Sequence, residues 1–360
     1  MMLASRQSVA MPSALLGTIL PRVTEKDAHA ICQKHFGVAG TVKNLTGEKD
    51  INFLIEDAGG ARYVLKISNS AEKPEVIDFQ TQALLHLERN APRLPAPRVI
   101  RTTDGADHVL VHLKHQNHIA RLLTYLEGKP LHLAGRSSGQ PIALGAFLAS
   151  IDLGLCNYDH PAADHEILWD VKHSASLVSL IDQMSVDWKR QPAAGALLGF
   201  AEHVKPFERN LPAQVIHNDF NPHNVLVNEQ DNNAITGILD FGDIVRAPRI
   251  YEVAIAGSYQ VLPSDTPLKD AAELVAGYHS VSPLSPTELS MIYDIILARQ
   301  AMTVAITTWR AKLYPENKAY ILKNTVRAQE GLEVMSRISR KTAGQLFRNA
   351  CGVEWVNEGD

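Results

Sequence analysis

Apolar and polar residues alternate along TVKNLT (41–46), INFLIED (51–57) and ARYVLKIS (61–68), and Gly47 and the pair Gly59-Gly60 separate the runs. Period-two alternation broken by glycine predicts three short strands joined by turns. Ahead of them, Thr24 with Asp27 three residues later predicts a helix start, and Gly37 its end. From about Glu75 to Arg89 the rhythm changes. Ile77, Ala83, Leu84 and Leu87 recur near helical spacing and predict an amphipathic helix. The proline-rich stretch LPAPRV (94–99) leads into two further predicted strands, HVLVHL (108–113) and ARLLTYL (120–126), and Gly128 and Pro130 end that run. Helical patterns then dominate, over 141–153, 169–184, 195–209, 250–260, 267–279, 286–312 and 317–339. The exception is 214–242, where short strand-like runs bracket a polar cluster. An antiparallel sheet with one helix, followed by a larger helical part, predicts an α+β fold. The expected organisation is a flexible arm over 1–20, a sheet lobe over 21–123, a helical lobe over 124–345 and a tail over 346–360.

Composition narrows the function classes. With 360 residues, 45% of them hydrophobic and 21% charged, the chain has enough apolar material for two cores. A formal net charge of -4 leaves no general basic surface for nucleic acid. Cys32, Cys156 and Cys351 are scattered and odd in number, as expected for a reduced, cytoplasmic protein. No unbroken apolar run has the length of a membrane span, and Ser, Gln and Pro12 interrupt the mildly apolar start, so an arm is expected there and not a signal peptide.

The polar cluster carries the chemistry. His217, Asn218, Asp219, Asn221, His223 and Asn224 sit between the apolar runs Val215-Ile216 and Val225-Leu226-Val227, and GILDFGD (237–243) delivers Asp240 to a second strand end. Two carboxylates and an amide oxygen are hard donors that suit Mg²⁺ and leave room for phosphate oxygens. A carboxylate left off the metal can orient a hydroxyl nucleophile, which completes the parts needed for phosphoryl transfer to an alcohol. Other readings of the same residues are open at this point. Asp219 can be an Asx-turn residue, His217 a structural brace and His223 a solvated loop residue. Lys66 can be a surface lysine, although Val64, Leu65 and Ile67 around it favour a cleft. Asp243 either meets substrate or caps the loop, and Arg246, Arg249 and Arg299 either meet a substrate carboxylate or form ordinary ion pairs. A different class of enzyme is conceivable too: His217-x-Asp219 with a distant His279 imitates a two-histidine, one-carboxylate iron site, which leaves Asn224 and Asp240 unexplained.

HxDxxxxN followed by DFGD resembles the aminoglycoside phosphotransferase family, relatives of the protein kinases. Asn218 stands where a protein kinase has arginine, and DFGDIVRAPRIYEVAIA runs into a helix with no room for an activation segment. The resemblance implies a protein kinase-like, two-lobed α+β fold. It implies Asp219 as the catalytic residue, Asn224 and Asp240 as ligands of Mg²⁺, and ATP or GTP as co-substrate. LTGEKDINF (45–53), with Gly47 and Asn52, resembles the loop and strand over the nucleotide, and Lys66 stands where the family places the phosphate-holding lysine. RLLTYLEGKPL (121–131), with Thr124 and Leu126, resembles the hinge that meets the purine. Aligning QTQALLHL on the family's helix puts Gln80 where the lysine's usual glutamate partner belongs, and Gln80 is expected to accept from Lys66 instead. GEKDINF, KISN, FQTQALLHL, Trp169-Asp170, YEVAIA, LARQ and PEN resemble the hydroxylysine kinases and the kinase domains fused to class III aminotransferases. The acceptor so implied is a small amine-bearing alcohol. A hydroxy-amino acid such as hydroxylysine comes first, then an amino alcohol, an aminoglycoside or a sugar. Asp243, Arg246 and Arg299 are the candidate substrate contacts. No membrane, nucleic acid or obligate protein partner is expected. A non-catalytic nucleotide-binding regulatory module is the alternative of another class, and Gln80 is the residue in its favour.

Overall fold

A computed structural model describes residues 21–354 apart from Thr46, Glu48 and 182–186. The arm expected over 1–20 lies outside the described residues. The chain divides into two compact units, one built from 1–89, 96–126 and 160–168, the other from 90–95, 127–159 and 169–360.

In the first unit, Thr24 caps helix α1 (Glu25–Ile31) in a capping box with Asp27, and Gly37 ends the following π turn in the left-handed region at φ 68°. Strands β1 (Gly40–Leu45), β2 (Ile51–Asp57) and β3 (Arg62–Ile67) form the expected antiparallel meander. After helix α2 (Pro74–Asn90) come β4 (Val99–Ile100), β5 (Val109–Leu113) and β6 (Gln116–Thr124). The sheet runs β1-β2-β3-β6-β4, with β5 on β6. Phe53, Ile55, Leu65, Ile67, Ala120 and Leu122 alternate into one buried core. The register places Asn52 opposite Lys66 and Lys66 opposite Arg121. Direct partners across antiparallel strands share a sheet face, so two cations stand side by side there.

The second unit begins with β7 (Lys129–Pro130) and helix α3 (Gln140–Leu155). Of the helix expected over 169–184, Val171–Leu177 form a 3-10 stretch capped by Asp170, Val178–Ile181 form helix α4, and 182–184 lie outside the described residues. Helix α5 (Asp187–His203) begins earlier than the expected 195 and gives way to 3-10 turns. Then come β8 (Ala213–Ile216), β9 (Val225–Val227), β10 (Ile235–Ile238) and β11 (Val245–Pro248). Helices α6 (Arg249–Ser258), α7 (Lys269–Val281), α8 (Pro286–Leu313), α9 (Lys318–Ile321), α10 (Thr325–Met335) and α11 (Arg340–Ala350) complete the unit. Two helices thus replace the one expected over 317–339, because the chain turns at Leu322–Asn324. The last of these helices, α11, extends into the expected tail.

Helix α8 starts with a capping box between Ser285 and Glu288 and is long and apolar enough to cross a membrane. Its most apolar window is 89% buried inside the protein, which makes it the central helix of the unit. A helix apolar on all sides belongs in a core.

Candidate active site

Strand β8 pairs with β11, while β9 pairs with β10 and β7. The polar loop 217–224 is therefore anchored in one small sheet at its start and in another at its end. Val215, Ile216, Val225 and Val227 are fully buried, so apolar packing holds both ends.

His217 ties the loop down. Its Nε2 lies 2.9 Å from the Leu239 carbonyl, and its Nδ1 accepts from the Asp219 amide at 3.3 Å. Donating on one nitrogen and accepting on the other requires a neutral ring, and burial holds its pKa below the ordinary value. Both nitrogens are committed to backbone. The Nδ1 of His279 accepts from the Leu284 amide. Among the described residues no three His, Cys, Asp or Glu side chains converge on a metal position. The iron-site reading is overturned on these grounds.

Asn218 takes the left-handed conformation, φ 64°. Its amide donates to Glu252 Oε2 at 2.5 Å and its side chain donates to the Asp243 carbonyl at 3.2 Å. These bonds turn the chain so that Asp219 follows a fixed corner. The two oxygens of Asp219 differ. Oδ2 accepts from Asn221 Nδ2 at 2.9 Å and from Asn224 Nδ2 at 2.7 Å. Oδ1 faces the Arg299 guanidinium at 3.5 Å. Asn224 gives its other amide hydrogen to the Asp219 carbonyl at 3.0 Å, so its own oxygen points away from Asp219. Asp240, also left-handed at φ 56°, accepts from the Gly242 amide at 3.1 Å. The Leu239 amide donates to the Asn224 carbonyl at 2.7 Å, which fastens Asn224 next to the residue preceding Asp240.

The electrostatics are dominated by acids. Burial pushes Asp219 up to about 7, the charges of Asp243 and Asp240 add to the rise, and Arg299 opposes it. Glu252, fully buried on α6, is raised well above the usual carboxylate range by burial and then by Asp152. Asp152 itself is pushed up to about 7 by burial. Carboxylates crowded at one end of a loop favour a divalent cation, and the directed oxygen of Asn224 with the carboxylate of Asp240 fits a metal that takes few protein ligands.

The first unit holds the other candidates. Lys66 Nζ pairs with Asp50 Oδ2 at 3.3 Å, both largely buried. Gln80, 4% exposed on α2, accepts from Arg121 Nη2 at 3.0 Å, and Arg121 also donates to Thr81 Oγ1 at 3.2 Å. Gln80 thus accepts from the cation that stands beside Lys66 on the sheet. Asn52 lies across from Lys66, and a Cβ at Gly47 would stand 2.1 Å from the Asp50 carbonyl, so only glycine fits that turn. The amide of Thr124 is already given to the Arg98 carbonyl at 2.9 Å, and Leu126 lies just beyond the end of β6. Of the candidate substrate contacts, Arg246 pairs with Asp159, Asp243 lies on the 3-10 turn after Asp240, and Arg299 is 2% exposed. Arg249 grips Glu288 at 2.8 Å.

Sequence reasoning missed Asp50, Arg121 and Glu252 as parts of these sites. Asp50 and Glu252 lie inside the quoted runs GEKDINF and YEVAIA, yet nothing in their local pattern names partners sixteen and thirty-four positions away.

Comparison with known proteins places the chain in a family. The chain is 26% identical over 351 residues to a hydroxylysine kinase of Mus musculus, covering 91% of this chain and 93% of that protein. It is 28% identical over 261 residues to a homoserine kinase of Caulobacter sp. (strain K31), covering 71% and 75%. In fold it resembles an amicoumacin kinase, hAmiN, solved in complex with AMP-PNP, Ca²⁺ and Ami, with TM-score 0.63, 14% identity and coverage of 83% and 91%. It also resembles a microcompartment-associated aminopropanol kinase, with TM-score 0.57, 18% identity and coverage of 89% and 93%. The sequence profile of the phosphotransferase enzyme family matches residues 42–292, the span that holds Lys66, Asp219, Asn224 and Asp240. The chain belongs to the phosphotransferase enzyme family.

Proposed function

We propose that this kinase transfers the γ-phosphoryl group of ATP or GTP to the hydroxyl of a small amine-bearing alcohol, a hydroxy-amino acid of the hydroxylysine type first. The observation that carries the reading is the asymmetry of Asp219. Two amide donors fix Oδ2, so the carboxylate cannot swing, and Oδ1 is the oxygen placed to accept an acceptor's hydroxyl proton. Lys66, steadied by Asp50, is assigned to the nucleotide's phosphates, with Gly47 and Asn52 as neighbours. Asn224 and Asp240 are assigned to Mg²⁺, which when bound would neutralise charge on the phosphates. His217, Asn218 and Glu252 hold the loop so that positioning and charge neutralisation supply the rate. The names of the hydroxylysine and homoserine kinases support a hydroxylated amino acid as acceptor, and the AMP-PNP and Ca²⁺ of the amicoumacin kinase support a nucleotide triphosphate with a divalent ion. Lys66 has a carboxylate partner in Asp50 although Gln80 stands in place of the helix glutamate, which weakens the regulatory-module alternative.

The test is an acceptor panel of hydroxylysine, homoserine, aminopropanol, an aminoglycoside and a sugar, each with ATP and with GTP, read by mass spectrometry. A phosphorylated hydroxy-amino acid is expected. Absence of transfer to every acceptor under Mg²⁺ would overturn the reading.

A further inference from the structure

Helix α8 is long, apolar and buried, and a charge in its middle is costly unless a partner meets it. Two of its buried acids tie helices together. Glu288 holds Arg249 of α6 at 2.8 Å, and Asp294 holds Arg340 of α11 at 2.7 Å. Arg299, midway along α8, reaches instead into the candidate site. Its Nη1 donates to the Trp169 carbonyl at 2.8 Å, and its Nη2 stands 3.5 Å from Asp219 Oδ1. The Trp169 ring centroid lies 5.1 Å from the guanidinium carbon, within the range of a cation–π contact. One guanidinium thus joins the residue before Asp170 to the polar loop.

Both ends of this bridge are held. The half-buried Trp169 precedes Asp170, which accepts from the Lys172 amide at 2.9 Å and pairs with Lys172 Nζ at 3.2 Å. At the other end, Asn221 and Asn224 fix Asp219 Oδ2, and Arg299 faces the remaining oxygen. At 3.5 Å the guanidinium attracts Oδ1 without closing a short hydrogen bond on it, so that oxygen keeps the capacity to accept a proton. The Asp219 side chain is 22% exposed and that of Arg299 3%. A ligand can therefore reach the carboxylate and not the guanidinium behind it.

We propose that Arg299, clamped between Trp169 and Asp219, is a positioning residue of phosphoryl transfer, which aims Asp219 Oδ1 at the acceptor hydroxyl and does not itself touch the acceptor. This rests on the reading of Asp219 as the residue that orients that hydroxyl. It takes the place of the expected contact between Arg299 and a substrate carboxylate. A planar guanidinium can serve the Trp169 carbonyl and Asp219 at once, one Nη to each, which the single ammonium of a lysine does less well.

The experiment measures kcat and KM with ATP and Mg²⁺ on hydroxylysine and on the same amino alcohol lacking the carboxylate. The proteins are the wild type, Arg299→Met, Arg299→Lys, Trp169→Phe, Trp169→Leu, Asp219→Asn and Asp219→Asn with Arg299→Met. Arg299→Met should lower kcat by about 100-fold, the scale of a misplaced reacting group, equally on both acceptors and with KM for acceptor and ATP unchanged. Arg299→Lys should recover part of the loss. Trp169→Phe should lower kcat less than Trp169→Leu, because a phenyl ring keeps part of the cation–π contact. Added to Asp219→Asn, Arg299→Met should cost little more, since residues that act as a unit are non-additive. A loss carried by KM and larger with hydroxylysine would make Arg299 a substrate contact and overturn the proposal. A loss that adds in full to that of Asp219→Asn would overturn it too, and both results leave the kinase reading intact. Should Arg299→Met fail to bind nucleotide with Mg²⁺ in calorimetry, the Trp169 variants decide: the expected order of losses sustains the clamp, and an unchanged kcat in Trp169→Leu overturns it. Should the wild type phosphorylate neither acceptor, the proposed function falls and the same double-mutant cycle is read on hydrolysis of ATP by water. Non-additivity there sustains the Arg299–Asp219 unit, and additivity or hydrolysis indifferent to Asp219 overturns it.

Discussion

The two units handle charge in opposite ways. In the first, the candidate cation Lys66 projects from the regular strand β3, pairs with Asp50, and has Arg121 as its neighbour, which takes Gln80 and Thr81. No backbone in left-handed geometry is needed there, because an extended strand already aims every second side chain to one face. In the second unit the acids sit on irregular backbone, with Asn218 and Asp240 both at positive φ. Asp219, Asp240, Asp243 and Glu252 share a neighbourhood with the buried Arg299. The first site matches cations with acceptors of its own, while the second gathers more acid than base. Strained residues and raised carboxylates persist only where packing over-determines them, and they concentrate where chemistry is done.

The contrast can be broken hardest at Asp219. Asp219→Asn keeps the amide contacts' shape but removes the proton acceptor, and turnover should fall by ~10²–10⁴-fold or more while nucleotide still binds. Comparable turnover in the variant would return Asp219 to the status of a turn residue. Asp240→Ala should come next. It should abolish the Mg²⁺-dependent part of nucleotide binding, seen by calorimetry with and without Mg²⁺, with a small change in Tm. Equal binding under both conditions would remove Asp240 from the metal assignment.

Two substitutions in the first unit sharpen the comparison. Asp50→Asn removes the partner of Lys66 and should raise the nucleotide KM by about 10-fold, the scale of a lost charge-assisted bond. Gln80→Leu should leave KM nearly unchanged but cost about 1–3 kcal/mol of stability in denaturant unfolding, because Arg121 loses a buried acceptor. A KM effect at Gln80 larger than at Asp50 would make Gln80 the true partner of Lys66.

The smallest effect is expected at Glu252. Its folded pKa lies above the unfolded value, so it destabilises the fold progressively as pH rises above the ordinary glutamate value near 4.5. Glu252→Gln retains an oxygen for the Asn218 amide and should match or exceed the wild-type Tm at pH 8, with the gap closing towards pH 5. A gap that widens at low pH would show that Glu252 is ionised in the folded protein.

What could be read from the chain alone was whatever short-range pattern encodes. The capping box at Thr24, the meander of β1 to β3, the amphipathic α2 and the motif residues Asp219, Asn224 and Asp240 all rest on spacings of a few residues, and a few residues suffice to set dihedrals and faces. The helix expected over 169–184 was not legible, since Asp170 and its neighbours fold into 3-10 turns beneath α8, where packing outweighs propensity. Only the tertiary structure gave Gln80 to Arg121, set Glu252 under Asn218, and buried Arg299 against Asp219. The physical reason is one of range: a buried charge is satisfied by whichever group the packing of distant segments brings within about 3–4 Å, and sequence periodicity holds no record of that distance.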